Sequence, residues 1–198
     1  MDNSLKTFLL HALKATTDYI AVLFVFIIFS YPVISLSGDN PARVVSWVSA
    51  FMFLLLFVLV YRDMWEMAVR ERRPQYEINP KPVRGLLLGL AGMVPVALVL
   101  CIIALIPMTG LETLQLRMMQ ALTVPFYWIA KLLDGSSPMH RLPFILLPFL
   151  TGVFAYLGYL AGLRDFFLMQ RLYKLVGYTP KKRVRKPLKK TRKGFWGI

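Results

Sequence analysis

The 198-residue sequence has very little of the chemistry on which most enzymes and metal proteins depend. It contains one cysteine, Cys101, and two histidines, His11 and His140. A single cysteine excludes a disulfide framework and a thiolate metal site, and histidines so isolated from one another do not predict a transition-metal site. We interpret Cys101 as a small packing residue and both histidines as solvated surface side chains.

Motifs of the common catalytic sites are also missing. The chain has no Gly-x-x-x-x-Gly-Lys-Ser/Thr phosphate loop, no His-Glu-x-x-His, no Gly-x-Ser-x-Gly and no pair of aspartates spaced for a metal-dependent phosphotransferase. We therefore expect a protein that is not an enzyme and that holds neither a cofactor nor a metal.

Charged residues are scarce, at 17 %, while hydrophobic residues reach 57 %. Four stretches contain no acidic residue, lysine, arginine or histidine: 19–36, 44–61, 85–107 and 142–163. Each is about as long as a helix that crosses ~30 Å of hydrocarbon at ~1.5 Å per residue. The sequence therefore predicts an all-α, polytopic membrane protein with four transmembrane helices.

Lysine and arginine are distributed unevenly around these four stretches. Twenty of the 24 lie before the first, between the second and third, or after the fourth. Because an excess of basic residues marks the cytoplasmic face, we expect a multi-pass protein of a plasma (inner) membrane with both termini cytoplasmic. The predicted domain limits are an interfacial amphipathic helix at 1–18, a transmembrane domain at 19–163, a juxtamembrane amphipathic helix at 164–178 and a basic, disordered tail at 179–198.

Two glycine pairs lie near the predicted cytoplasmic ends of the third and fourth helices. Gly85 and Gly89 are four residues apart, as are Gly158 and Gly162. Residues at this spacing share a helix face, and glycine allows two backbones to approach closely. We expect the two pairs to pack on each other, with the alternative that one pair faces a second protein.

The longest predicted outer segment, 108–141, is unusually apolar. Its proline and its cluster of aromatic residues at 125–128 suit an element lying at the headgroup level. The alternative is a re-entrant segment that enters the membrane, which requires its backbone to be buried in protein or to line a wet cavity. That alternative implies a pore or a substrate pocket.

The segment after the second span, 62–73, has the pattern of a helix that continues beyond the bilayer. Arg62 and Arg70 each lie four residues from Glu66, a spacing that favours ion pairs on a helix, and Pro74 is expected to end it. This segment is a candidate docking surface for a cytosolic partner, and the alternative is a solvated connection. The docking residues are predicted to be Trp65, Arg70, Arg72 and Arg73.

The C-terminal tail is the most basic part of the chain. Nine positive charges and no negative one lie in 181–193. They attract either anionic phospholipid, with an aromatic residue inserting at the interface, or ribosomal RNA, and no specific DNA contact is expected. The predicted contact residues are Lys181, Lys182, Arg183, Arg185, Lys186, Lys189, Lys190, Arg192, Lys193 and Trp196.

The number of spans and the basic tail together resemble the membrane-protein insertase family, some of whose members engage ribosomes through such a tail. The resemblance implies a hydrophilic groove with an intramembrane arginine, and none of the four charge-free stretches contains one. Proton- or sodium-driven transport also usually needs ionisable groups inside the spans. We therefore expect an accessory or scaffolding subunit that binds a membrane-protein partner or itself, with a small transporter or permease and a ribosome-binding insertion factor as alternatives.

Overall fold

The computed structural model describes residues 2–35, 40–72, 81–106, 112–134, 141–164 and 166. Within these ranges the chain is helical and contains no strand. The α-helices are α1 (Asp2–Ser35), α2 (Pro41–Glu71), α3 (Val83–Leu105), α4 (Glu112–Leu122), α5 (Tyr127–Asp134), α6 (Leu142–Leu146) and α7 (Thr151–Leu163). Short 3-10 turns occupy Val124–Phe126 and Leu147–Leu150.

Four helical segments are long and apolar enough to cross a membrane, which confirms the predicted class and the number of spans. They are Lys6–Ser30, Ala42–Glu71, Val83–Leu105 and Leu142–Leu163, the last made of α6, a 3-10 turn and α7. That turn contains Pro148, which has no amide hydrogen for a regular helical bond. The Pro148 carbonyl accepts the Thr151 hydroxyl at 2.7 Å.

The first helix is continuous through residue 18, where the sequence predicts a domain boundary. Ala12, Ala15 and Thr16 are buried, and they pack on Gly92 of α3, where an added Cβ would lie 2.9 Å from the Ala15 side chain. The Thr16 hydroxyl also donates to the Gly92 carbonyl. The first half of α1 is therefore part of the bundle, and its position relative to a bilayer stays a prediction.

The glycines of α3 allow that helix to approach α7 closely. A Cβ on Gly89 would lie 2.6 Å from the Ala155 Cβ and 2.8 Å from the Gly152 Cα, and one on Gly85 would meet the Tyr159 ring. Contacts this short cannot be relieved by turning a side chain alone. The close contact predicted between the third and fourth spans is therefore present.

The glycines of α7 face a different helix from the one predicted. A Cβ on Gly158 would lie 2.8 Å from the Tyr61 Cα, and one on Gly162 would lie 2.7 Å from both the Trp65 carbonyl and the Ala68 Cβ. These partners belong to α2, so the mutual packing of the two glycine pairs is corrected. Helix α7 has two faces of small residues because it lies between α2 and α3.

We name the two ends of the bundle by their contents. The basic end is where α1 begins, α2 ends, α3 begins and α7 ends, and the contacts of Lys14 with Asp63 and of Arg84 with Glu71 hold these helix ends together. The hairpin end is the opposite one and carries α4 and α5. The candidate sites lie at these two ends.

Candidate functional site

The connection between the third and fourth spans enters the bundle rather than covering its end. Helix α4 leads inward, the 3-10 turn Val124–Phe126 is buried, and α5 leads back out. The Phe126 ring stacks on Tyr19 at 6.3 Å between centroids and meets Phe53 edge-on at 5.8 Å. Both partners belong to the middle third of their helices. Residues 112–134, which we call the re-entrant hairpin, therefore turn within the bundle, and their depth in a bilayer stays a prediction.

Hydroxyl groups of α1 and α2 form hydrogen bonds with backbone groups of the hairpin at the point where its regular helical hydrogen bonds are interrupted. The Tyr19 hydroxyl donates to the Leu122 carbonyl at 2.8 Å. The Ser49 hydroxyl donates to the Val124 carbonyl at 2.5 Å and accepts the Trp128 amide at 3.0 Å. A buried backbone group without a partner is costly, above all in an apolar bundle. These contacts explain how an irregular backbone is held beside the two long helices.

The outward part of the hairpin is fixed to α3 by one glutamine. Gln115 is 1 % exposed, and its side-chain amide donates to the Ile106 carbonyl at 3.1 Å and to the Ile103 carbonyl. The last carbonyls of a helix lack intrahelical donors, so Gln115 caps α3 through its side chain. The inner and outer parts of the hairpin are therefore both anchored by directed hydrogen bonds.

Aromatic rings fill the interior around the tip of the hairpin. Phe53 meets Phe154 at 5.1 Å and Trp128 at 5.3 Å, and Phe57 meets Phe154 at 5.2 Å, all edge-on. Edge-to-face pairs at these separations are favourable. These rings, which we call the aromatic layer, surround the tip of the hairpin.

A cleft of about 630 Å³ opens between α2 and α5 at the hairpin end. Most of its walls are apolar, with one hydroxyl and one ammonium group, so it is not the polar pocket that a transporter of polar solutes would need. We call it the hairpin-end cleft, and its lining residues are Ser46, Trp47, Ala50, Trp128, Lys131 and Leu132.

The basic end holds a smaller, charged cavity of about 240 Å³ between α1 and α2. Within it the Lys14 ammonium lies 2.7 Å from the Asp63 carboxylate, and the carboxyl group of Asp18 also faces Asp63. Among the residues that the structure describes, no three histidine, cysteine or acidic side chains come together to hold a metal ion. The lining residues are Thr7, His11, Lys14, Asp63, Glu66, Met67, Arg70 and Glu71.

A buried carboxylate joins three helices beside this cavity. The Glu71 side chain is only 6 % exposed; it accepts the Tyr159 hydroxyl at 2.6 Å and lies 3.2 Å from the Arg84 guanidinium. A buried charge is tolerated only when it is paired and hydrogen-bonded. Glu71 therefore fixes α2, α3 and α7 relative to one another.

These charged contacts lie just beyond the four charge-free stretches of the sequence. Lys14, Asp18 and Asp63 belong to the helical segments Lys6–Ser30 and Ala42–Glu71, and their depth in a bilayer stays a prediction. The spacing of Lys14 and Asp18 along one face of a helix was the available signal. Nothing local distinguishes Glu71 from its solvated neighbours.

The predicted docking residues have individual roles within the chain. Arg70 lies 3.7 Å from Glu66, as the spacing predicts, and Arg62 lies 3.2 Å from the same carboxylate. The Arg72 guanidinium donates to the Leu163 carbonyl at 3.2 Å, at the end of α7. The backbone of Trp65 contacts Gly162. Docking through these residues stays a prediction.

Several predicted residues lie outside the described ranges. They are Arg73, His140, the juxtamembrane segment after residue 166 and all nine basic tail residues with Trp196. Cys101 is a free, partly buried cysteine on α3. Comparison of the chain with protein-family models, with curated proteins and with solved structures finds no match in any of the three.

Proposed function

We propose that this protein is an accessory or scaffolding subunit of a bacterial-type plasma (inner) membrane that acts by binding and not by catalysis. The observation that carries the proposal is that polar groups inside the bundle form contacts between helices. The buried Glu71 and the hydroxyls of Tyr19 and Ser49 are engaged in contacts between helices. These groups are therefore occupied in positioning helices, which suits a rigid bundle that presents surfaces to partners.

The proposal includes a topology with both termini in the cytoplasm. The distribution of lysine and arginine supports it, since twenty of the 24 lie before the first span, between the second and third spans or after the fourth. Cysteines replacing Asp39 and Asp134 in a Cys101→Ala background should react with an impermeant reagent added to intact cells. A cysteine placed within 181–193 should react only after the membrane is opened. External reaction of the tail cysteine would reverse the proposed orientation.

The proposed partners are a membrane protein or a second copy of the chain at the helices, and anionic phospholipid at the tail. Chemical cross-linking in native membranes, followed by purification in mild detergent, tests the first. We expect a species of fixed stoichiometry above the 22.7 kDa of one chain. A chain that purifies only as a monomer after cross-linking at several reagent concentrations would overturn the proposal.

A matched pair of variants tests docking at the cytoplasmic surface. Arg70→Gln and Arg62→Gln each remove one exposed partner of the same carboxylate, Glu66. Both changes should leave the stability of the bundle nearly unchanged, because exposed ion pairs contribute about 0–1 kcal/mol. Loss of the cross-linked species in the Arg70 variant alone would support a docking surface there, whereas equal retention in both variants would contradict it.

Transport by a small permease is the second candidate function, and the re-entrant hairpin is the observation that favours it. Irregular backbone inside a membrane protein is retained where it is buried in protein or lines a cavity. The aromatic layer around Phe126 opposes a polar path in the described conformation. Reconstituted vesicles that show protein-dependent uptake, abolished by a bulky residue at the hairpin-end cleft, would make transport the leading function.

A further inference from the structure

The hairpin-end cleft combines an apolar wall with positive charge, and neither feature belongs to the polar contacts described above. Trp47 is 71 % exposed, although tryptophan is one of the largest apolar side chains. Trp128 is held edge-on against Phe53, so the opposite wall is rigid. Tryptophan is enriched where hydrocarbon meets the headgroup layer.

One basic residue lines the cleft and a second lies beside it. Lys131 lines it from α5 and is half-buried. Arg43 is exposed on α2 and precedes the lining residues Ser46, Trp47 and Ala50 by three, four and seven residues, spacings that share one face of the helix. Within the described ranges neither cation has an ion-pair partner. At the basic end, by contrast, four cations are each paired with a carboxylate: Lys14, Arg62, Arg70 and Arg84.

We infer that the hairpin-end cleft binds one anionic phospholipid, with its acyl chain between Trp47 and Trp128 and its phosphate at Lys131 and Arg43. The volume of about 630 Å³ falls within the usual range of about 300–1,000 Å³ for ligand pockets. An apolar trough that ends in cations fits an amphiphile with a negative head. Unpaired cations also disfavour a lipid whose headgroup carries an exposed quaternary ammonium group, despite the aromatic walls.

The lining tryptophans provide a direct readout. Full-length protein with Trp65→Phe and Trp196→Phe retains Trp47 and Trp128 as its only indoles, since the chain has four tryptophans. It is reconstituted in phosphatidylcholine vesicles that contain a fixed minor fraction of brominated lipid, either phosphatidylglycerol or phosphatidylcholine. Bromine quenches a nearby indole, so the excess quenching by brominated phosphatidylglycerol measures its preference for the cleft.

We expect phosphatidylglycerol to be preferred by about fivefold for each of the two basic residues, because a basic residue near the surface attracts anionic lipid by about 1 kcal/mol and 1.4 kcal/mol is a factor of ten. Lys131→Gln should reduce the preference about fivefold, and Lys131→Arg should retain it. Arg117→Gln, at an exposed position of α4 outside the cleft, is the matched control and should behave as the parent does.

Filling the cleft tests the apolar half of the inference separately. Ala50→Phe should lower quenching by both brominated lipids, because it occupies space that the acyl chain would use, while it leaves the charge unchanged. Equal quenching by the two lipids in the parent protein would overturn the inference. So would an unchanged preference in Lys131→Gln, or weak quenching by both lipids in the parent, which would indicate that protein covers the cleft.

Discussion

Replacing Ser49 with alanine should release the re-entrant hairpin from α2. Ser49 is fully buried, and its hydroxyl bonds both the Val124 carbonyl and the Trp128 amide. Alanine removes this partner from both groups. The Val124 carbonyl keeps a bond from the Tyr127 amide, whereas the Trp128 amide is left unsatisfied. An unsatisfied buried group costs about 1–3 kcal/mol, and interhelical hydrogen bonds in membranes lie toward the low end of such ranges. We therefore expect a loss of about 1–2 kcal/mol in the local stability of the hairpin tip.

Hydrogen exchange of protein in lipid nanodiscs measures this loss where it occurs. At 1.4 kcal/mol per factor of ten, amides in peptides covering 123–130 should exchange about 5- to 30-fold faster in Ser49→Ala. Ser30→Ala is the matched control, because the Ser30 hydroxyl bonds only the Ile27 carbonyl of its own helix. Unchanged exchange at 123–130 in Ser49→Ala would refute the anchoring role. Equal acceleration in the Ser30 variant would show that the effect is not specific.

Three further predictions concern the rest of the molecule. Gly158→Ala should lower the free energy of unfolding by about 1–3 kcal/mol, because the new Cβ would meet the α2 backbone. The control is Val153→Ala, at an exposed position of α7. Equal thermal unfolding midpoints for the two variants would contradict the prediction. Arg84→Gln should lower the free energy of unfolding by about 3–5 kcal/mol, because it leaves the buried Glu71 carboxylate without its cation. The exposed Arg62→Gln should lower it by only about 0–1 kcal/mol in the same thermal unfolding measurement. Replacing the basic residues of 181–193 with glutamine should abolish salt-sensitive binding to anionic vesicles, and parent protein that binds ribosomes but not vesicles would favour ribosomal RNA.

The number and type of the spans could be predicted because a charge-free stretch of sufficient length has few other folded outcomes. The residues at which the helices begin and end could not be predicted. Lys14 and Asp18 indicate the end of an apolar run when they are considered alone, yet α1 continues past both. The reason is Asp63, which lies on another helix and pairs with Lys14 at 2.7 Å. A charge is tolerated within a helix bundle when its partner comes from elsewhere in the chain.

The hairpin shows the same limit of local reasoning. Pro125 and its aromatic neighbours predict an irregular, membrane-associated segment, but they do not state its depth. The depth depends on hydroxyl groups that lie 103 and 75 positions earlier in the chain, on Tyr19 and Ser49. Glycine spacing likewise predicted close helix contacts without identifying α2 as the partner of Gly158. Such pairings are properties of the assembled bundle.

The anchors of the re-entrant hairpin also imply an order of biosynthesis. Among the described residues, the side chains that bond the hairpin's backbone belong to earlier residues of the chain or to the hairpin itself. The α3 carbonyls that Gln115 caps also precede the hairpin in the chain. These hydrogen bonds therefore do not require the last span, and neither does the hairpin-end cleft, which is lined by α2 and α5. The packing of Met119 and Ala130 on Phe144 does require it. The order of synthesis thus makes the directed bonds of the hairpin available first and its apolar packing last.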